Sequence, residues 1–244
     1  MQPWWIALQF LSSLPVRLPG MPTPQQMGRS VVCYPLVGGL FGLLLWGASA
    51  LLHGAPAPLQ AALLLSLWVA LSGALHLDGL ADSADAWLGG FGDRERTLQI
   101  MKDPRSGPIA VVTLVLVLLL KFCAVWVLLE RDAGAWLLLA PVLGRAALLA
   151  LLLSTPYVRQ GGLGAVLAEH LPRQQARWVL LGCAALVLLL GGTTALWALV
   201  WLAIAFALLR RAMCQRLGGT TGDTAGALLE LLELVCVVVL ALCL

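Results

Sequence analysis

The sequence predicts an all-α protein, a polytopic bundle of about seven transmembrane helices with an N-terminal helix in the membrane interface. Of its 244 residues, 61% are hydrophobic and only 11% are charged, whereas soluble domains have about 45–50% apolar and about 25% charged residues. The apolar residues form runs close to the ~20 residues that a helix needs to cross the hydrocarbon core. Because no polar stretch is long enough for a soluble domain, residues 1–244 are expected to form a single integral membrane domain.

The N-terminal segment 1–20 is rich in aromatic and aliphatic residues, including Trp4, Trp5 and Phe10. It has no basic residue before Arg17 and no small-residue cleavage site, so it does not resemble a signal peptide. Tryptophan favours the level of the lipid headgroups. We therefore expect a short helix lying in the interface.

Seven apolar segments follow as candidate spans, with the break at Gly191-Gly192 giving the two weakest. They are 31–52, 59–77, 109–129, 135–153, 177–192, 193–209 and 227–244. Twelve Lys/Arg residues fall in the loops on one side, whereas the opposite loops contain only Arg131. By the positive-inside rule the basic side faces the cytoplasm.

Charge and cysteine content exclude two other classes of protein. A net charge of +3 without a basic run does not indicate a nucleic-acid partner. The six cysteines are scattered through apolar runs without ligand spacing, which indicates neither a disulfide framework nor a zinc site.

Three carboxylates mark the cytoplasmic end of the second predicted span. Asp78, Asp82 and Asp85 are spaced i, i+4, i+7, so a helix would place them in one stripe. A divalent cation would relieve their mutual repulsion, and oxygen ligands of this kind suit Mg²⁺. A solvated acidic helix end and an ion-coupled transporter site are the alternatives. A position at the membrane edge, without a second copy of the pattern, argues against the transporter.

A basic segment, 100–108, precedes the third span. Lys102 and Arg105, with Arg94 and Arg96 nearby, could bind a diphosphate, and Asp103 could complete a metal site. Alternatively, these cations only satisfy the positive-inside rule.

The third cluster, Gly218 to Gly226, precedes the last span. Thr221 and Gly222 could bind phosphate at a helix start, and Asp223 could bind metal or act as a base. A glycine turn with a Thr or Asp N-cap explains the pattern equally well. Segments 76–107 and 218–226 face the same side, and together they form the predicted active site.

At these residues the sequence resembles the cobalamin synthase (adenosylcobinamide-GDP ribazoletransferase) family along its whole length. The specific part is HLDGLADSAD, His76 to Asp85, followed by IMKDPRSG, Ile100 to Gly107. The supporting matches are 9–16, 34–38 and 221–226. Pro104, Ser106, Pro108 and Ala110 depart from the residues expected in this family, which leaves the loop shape after Asp103 open.

The resemblance implies a multi-pass transferase of the cytoplasmic (inner) membrane. It would join adenosylcobinamide-GDP and α-ribazole, or its 5′-phosphate, to give adenosylcobalamin, or its 5′-phosphate, and GMP. It also implies Mg²⁺, and the residues suggest a mechanism in which Asp78, Asp82 and Asp85 hold the metal, with Asp103 as a further ligand. Asp82 would be essential, and Asp85 or Asp223 would act as the base. A homo-oligomer or an association with other corrinoid-pathway enzymes stays open.

The alternative enzyme is a CDP-alcohol phosphotransferase, which also binds metal through aspartates at a cytoplasmic helix end. That family has arginine where this chain has Asp82 after Asp78-Gly79-Leu80-Ala81. A less favoured alternative is an ion-coupled transporter. It would need polar residues deep in several spans, where Lys121 and Arg145 are the only basic residues.

Overall fold

The fold is described by a computed structural model covering residues 2–159 and 161–244. Within these residues it is built from helices, with no β-strand beyond one isolated bridge between Tyr157 and Thr220. Eleven α-helices lie in this part of the chain. They are α1 Pro3–Leu11, α2 Pro24–Ser30, α3 Tyr34–Leu51, α4 Ala57–Ser72, α5 Leu75–Gly89, α6 Arg94–Ile100, α7 Pro108–Glu130, α8 Leu139–Ser154, α9 Leu163–Glu169, α10 Arg173–Leu217 and α11 Gly222–Cys243.

Among the described residues, five helical segments are long and apolar enough to cross a membrane, and a sixth is added if the bent pair α4 and α5 counts as one span. The five are Pro24–Leu51, Pro108–Glu130, Gly134–Ser154, Arg173–Leu217 and Gly222–Cys243. The prediction of an all-α, multi-pass membrane protein is therefore confirmed. The predicted N-terminal helix is α1, whose Ile6, Leu8 and Leu11 are buried while Trp5 is exposed.

The long helix α10 consists of two arms that reverse at Gly192, where the backbone leaves helical geometry (φ 54°, ψ −134°). Arg173 at its start donates a hydrogen bond to the Leu153 carbonyl, and Arg210 near its end donates to the Ser154 carbonyl. A straight helix rises 1.5 Å per residue, so it would hold these two arginines about 55 Å apart. The chain therefore folds back on itself, as the break predicted at Gly191-Gly192 required.

The second predicted span, 59–77, is wrong at its C-terminal end. Helix α4 ends at Ser72, because Gly73 and Ala74 both adopt left-handed backbone conformations (φ 60° and 58°). Helix α5 then leaves at 88° to α4 and packs against α7 and α11. This corner turns the acidic segment away from the axis of the span that precedes it.

Beneath α5 a buried ion cluster joins α7, α8 and α11. Lys121 Nζ donates hydrogen bonds to Glu230 Oε2 at 2.6 Å and to Glu233 Oε2 at 2.9 Å. Arg145 pairs with the other oxygen of Glu233. All four side chains are buried, and their formal charges cancel, which is the condition for retaining ions in an apolar interior.

Candidate active site

The acidic stripe lies on α5 as predicted, with all three aspartates within one continuous helix. Asp78 is exposed, and Asp82 and Asp85 are half-buried. Next to this stripe, α5 is packed against α11 through glycine. A Cβ atom added to Gly79 would lie only 2.7 Å from the carbonyl oxygen of Asp223. The glycine therefore lets the two helix backbones meet at the level of the aspartates.

This close packing brings the third predicted cluster to the first. Asp223 is the second residue of α11, its backbone lies against Gly79, between Asp78 and Asp82, and its charge acts on the Asp82 carboxylate together with those of its neighbours on α5. Carboxylates that are about 140 residues apart in the chain thus share one site. Such a group of like charges is costly unless a cation lies among them.

Asp85 is engaged differently from its two neighbours on α5. Its carboxylate accepts hydrogen bonds from the backbone N–H groups of Gly107 and of Ala110, the latter at 2.9 Å. These groups belong to the first turn of α7, whose N–H groups have no partner within the helix. Asp85 therefore caps α7 from another helix and anchors the end of the basic segment.

In the basic segment, Asp103 and Arg105 pair with each other. Arg105 Nη2 lies 2.7 Å from Asp103 Oδ2, and the arginine side chain is 86% exposed. Hydrogen bonds from the Arg105 side chain and backbone lower the pKa of Asp103 to about 2. The pair lies on the surface of the loop, where each residue neutralises the other.

Of the other predicted cations, two make structural contacts and one faces a cavity. Arg94 Nε donates to the Leu217 carbonyl at 2.8 Å, and Arg96 lies over the ring of Phe91 at 5.2 Å. Both contacts fasten α6 and its preceding turn. Lys102, in contrast, is exposed and lines a polar cavity of about 190 Å³.

This polar cavity also includes Arg159, Thr221 and Asp223. Arg159 Nη1 donates to Asp223 Oδ2 at 3.1 Å. Arg159 is one of the twelve basic loop residues that orient the protein, and the sequence did not predict it as a site residue. Its loop is joined to the glycine-rich segment by the isolated bridge, in which Val158 N–H donates to the Thr220 carbonyl at 2.9 Å. No local sequence pattern predicts this pairing of two distant loops.

Thr221 forms the N-cap of α11, as one of the alternatives for this cluster proposed. Its hydroxyl accepts a hydrogen bond from Thr224 N–H at 3.2 Å, and the Thr224 hydroxyl accepts one from Thr221 N–H at 2.9 Å. Gly222, the first residue of the helix, is exposed and has the Tyr157 hydroxyl beside it. Burial, reinforced by the Asp223 charge, raises the pKa of Tyr157. Thr221 therefore caps α11, while Gly222, the first residue of the helix, stays accessible.

Comparison of the sequence with known proteins places the chain in a family. The sequence profile described as Cobalamin-5-phosphate synthase matches residues 3–241. A protein of Pseudomonas putida strain W619 named adenosylcobinamide-GDP ribazoletransferase is 78% identical over 242 residues, covering 99% of each chain. Proteins with the same name from Pseudomonas entomophila strain L48 (99% of each chain) and Pseudomonas savastanoi pv. phaseolicola strain 1448A (99% of this chain, 100% of the relative) are 75% and 67% identical.

No solved structure matches the chain. The family match spans both active-site segments and the whole bundle between them, and it decides against the CDP-alcohol phosphotransferase and transporter alternatives. The chain belongs to the cobalamin-5-phosphate synthase family and is an enzyme, a transferase of cobalamin synthesis.

Proposed function

We propose that this protein is a Mg²⁺-dependent transferase that joins adenosylcobinamide-GDP to α-ribazole, or to its 5′-phosphate, and releases GMP. The relatives' name supplies the two substrates. The observation that carries the proposal is the close packing of Asp223 against α5 at Gly79, between Asp78 and Asp82, beside the cavity that Asp223 lines with Lys102 and Arg159. Carboxylates next to cations suit a reaction at a metal-bound diphosphate.

The donor set fits magnesium. Asp78 and Asp82 are one helical turn apart, accessible from outside the bundle, and offer only oxygen. Among the described residues, no three His, Cys, Asp or Glu side chains form a ready-made metal cage. Mg²⁺ does not require one, because it keeps several waters and is bound by one or two carboxylates plus substrate phosphates. When bound, Mg²⁺ would neutralise charge on the diphosphate and on the departing GMP.

Asp85 and Asp103 are less suited to this role, since the first caps α7 and the second is paired with Arg105. We therefore assign the metal to Asp78 and Asp82. Asp223 completes the same acidic cluster.

The predicted cations likewise fall into two groups, those that would contact the diphosphate and those that hold the structure around it. Lys102 and Arg159 line the polar cavity and would bind the non-bridging oxygens of the diphosphate. Arg105 lies on an exposed loop and would exchange its partner Asp103 for the outer phosphate. Arg94 and Arg96 would act indirectly, by holding α6 beneath that loop.

Asp223 is the base in this proposal. One carboxylate oxygen is held by Arg159, and the other would accept the proton from a ribose hydroxyl of α-ribazole. The hydroxyl oxygen forms a bond to the phosphorus of the corrinoid-side phosphate. The bond from that phosphorus to the oxygen bridging to GMP breaks, and GMP leaves with the electron pair.

The site would lie on the cytoplasmic face of the inner membrane. Basic loops that flank it, which include Lys102, Arg159 and Arg216, carry the positive-inside signal. Nucleotide substrates and free Mg²⁺ are available on that side.

Purified protein in detergent or liposomes tests the proposal through GMP release. We expect release only when both adenosylcobinamide-GDP and α-ribazole are present, loss on chelation with EDTA, and recovery on adding Mg²⁺. GMP release that does not depend on α-ribazole would indicate a hydrolase, and activity that is insensitive to EDTA would exclude the metal.

A further inference from the structure

The segment between α1 and α2 contacts the corner that joins α4 to α5. Ser13 lies two residues after the end of α1. Its backbone N–H donates a hydrogen bond to the Leu71 carbonyl at 2.9 Å, and its hydroxyl donates one to the Ala70 carbonyl at 2.5 Å. A Cβ atom added to Gly73 would lie 3.4 Å from the Ser13 Cβ. Ser13 therefore contacts both the last turn of α4 and the first residue of the corner.

The hydrogen bond from Ser13 replaces one that a straight helix would supply. In an unbroken helix the Leu71 carbonyl would accept from the N–H of Leu75, four residues further on. The corner begins before Leu75, and the N–H of Ser13 bonds the Leu71 carbonyl in its place. Leu71 is buried, and a buried carbonyl without a partner is costly. Ser13 thus favours the bent form of α4 and α5 over a continuous span.

The rest of this segment holds Ser13 in place. Gln9 Nε2 donates to the Val16 carbonyl at 3.0 Å, which closes the loop that contains Ser13. Leu11 of α1 is buried in the same apolar cluster as Leu71. Residues 9–16 are one of the segments that resemble the family, yet the proposed active site uses none of them. Their contacts converge on the corner.

We propose that Ser13 is a positioning residue, which holds the corner between α4 and α5 in its bent form and so fixes where the aspartates of α5 lie. This inference rests on the proposed function, in which Asp78 and Asp82 bind the metal. Helix α5 leaves the corner at 88° to α4, and Asp78 is only its fourth residue. A change at the corner therefore moves the Asp78 carboxylate relative to Asp223, which lies on another helix.

A purely structural role for Ser13 makes different predictions. It would lower Tm equally at every Mg²⁺ concentration and leave the kinetics of the folded enzyme unchanged. A positioning role instead weakens the metal site, because misplaced ligands bind and orient the ion less well. The two roles are therefore separated by measuring the dependence on Mg²⁺.

Thermal unfolding at increasing Mg²⁺, without substrates, reports on the metal site directly, because an ion that binds only the folded protein raises Tm. Ser13→Ala removes the hydroxyl and keeps the backbone N–H. Since Ser13 is exposed, the variant leaves no buried cavity and should fold. We expect it to need about 3- to 10-fold more Mg²⁺ for the same rise in Tm, the value of one neutral hydrogen bond.

Steady-state GMP release should show the same change. In Ser13→Ala we expect kcat to fall about 3- to 10-fold and the Mg²⁺ concentration for half-maximal rate to rise by a similar factor, with KM for α-ribazole unchanged. Ser13→Thr keeps a hydroxyl and should restore both values. Gly73→Ala disturbs the same corner from its other side, since Gly73 has φ 60°, and should reproduce the losses.

Ser12→Ala is the matched control, because the Ser12 hydroxyl is one residue away but donates to the Leu8 carbonyl of its own helix. It should leave kcat and the Mg²⁺ dependence unchanged. The inference is wrong if folded Ser13→Ala or Gly73→Ala keeps the Mg²⁺ dependence of the unmodified enzyme, if Ser12→Ala loses as much, or if Ser13→Thr restores nothing. The unmodified enzyme is measured first, and absence of any GMP release that depends on α-ribazole and Mg²⁺ would instead refute the proposed function.

Discussion

Of the three aspartates of α5, Asp85 is the one with a structural role. Its carboxylate accepts two backbone hydrogen bonds from the start of α7, one from Gly107 and one from Ala110. Hydrogen bonds to charged groups contribute about 1.5–3 kcal/mol each. Taking the lower value because the side chain is half-buried, Asp85→Ala should lower the free energy of unfolding by about 3 kcal/mol. Asp85→Asn keeps one acceptor oxygen and should lose about half as much.

Thermal unfolding of the purified protein in detergent measures this effect. For a chain of this size, about 3 kcal/mol corresponds to a fall in Tm of roughly 6–12 °C. Asp93→Ala is a graded control, since Asp93 is an exposed cap with one backbone partner, Arg96 N–H, and should cost about 1 kcal/mol. An Asp85→Ala protein with the Tm of the unmodified enzyme but no metal binding would refute the capping role and restore Asp85 as a ligand.

Two further predictions concern packing beneath the site. Lys121→Met leaves Glu230 buried without its cation and should destabilise the protein by about 3–5 kcal/mol, while Lys121→Met combined with Glu230→Gln should recover part of the loss. An unchanged Tm in the single variant would contradict this. Gly79→Ala forces α5 away from the Asp223 carbonyl and should lower kcat about 100-fold, as a displacement near 1 Å does. Gly39→Ala, where a Cβ meets open space, should leave turnover unchanged, and equal rates in the two variants would show that this close approach is irrelevant.

Much of the fold follows from local sequence. Hydropathy identified the apolar helices, and the i, i+4, i+7 spacing placed Asp78, Asp82 and Asp85 on one helix. The reversal at Gly192 was also predictable, because paired glycines interrupt an otherwise uniform apolar run. These features depend on residues that are close in the chain.

The features that sequence analysis missed depend on distant contacts. The corner after α4 requires Ala74 to take a left-handed conformation, for which alanine has no local preference. Arg159 reaches Asp223 only because two loops pair through one bridge. Lys121 and Glu230 lie 109 residues apart, and hydropathy gives no information on which buried charges pair.

GMP release by Asp82→Asn tests the central claim, that the carboxylates meeting at α5 and α11 bind the metal and its diphosphate. The substitution keeps the size of the side chain but removes its negative charge and one of its two acceptor oxygens. We predict that turnover falls about 100- to 1,000-fold, as when a key electrostatic contact to the transition state is lost, while Tm stays near that of the unmodified enzyme. Glu95→Gln, an exposed acid outside the cluster, should keep full activity. Turnover by folded Asp82→Asn within a few-fold of the unmodified enzyme would contradict the account.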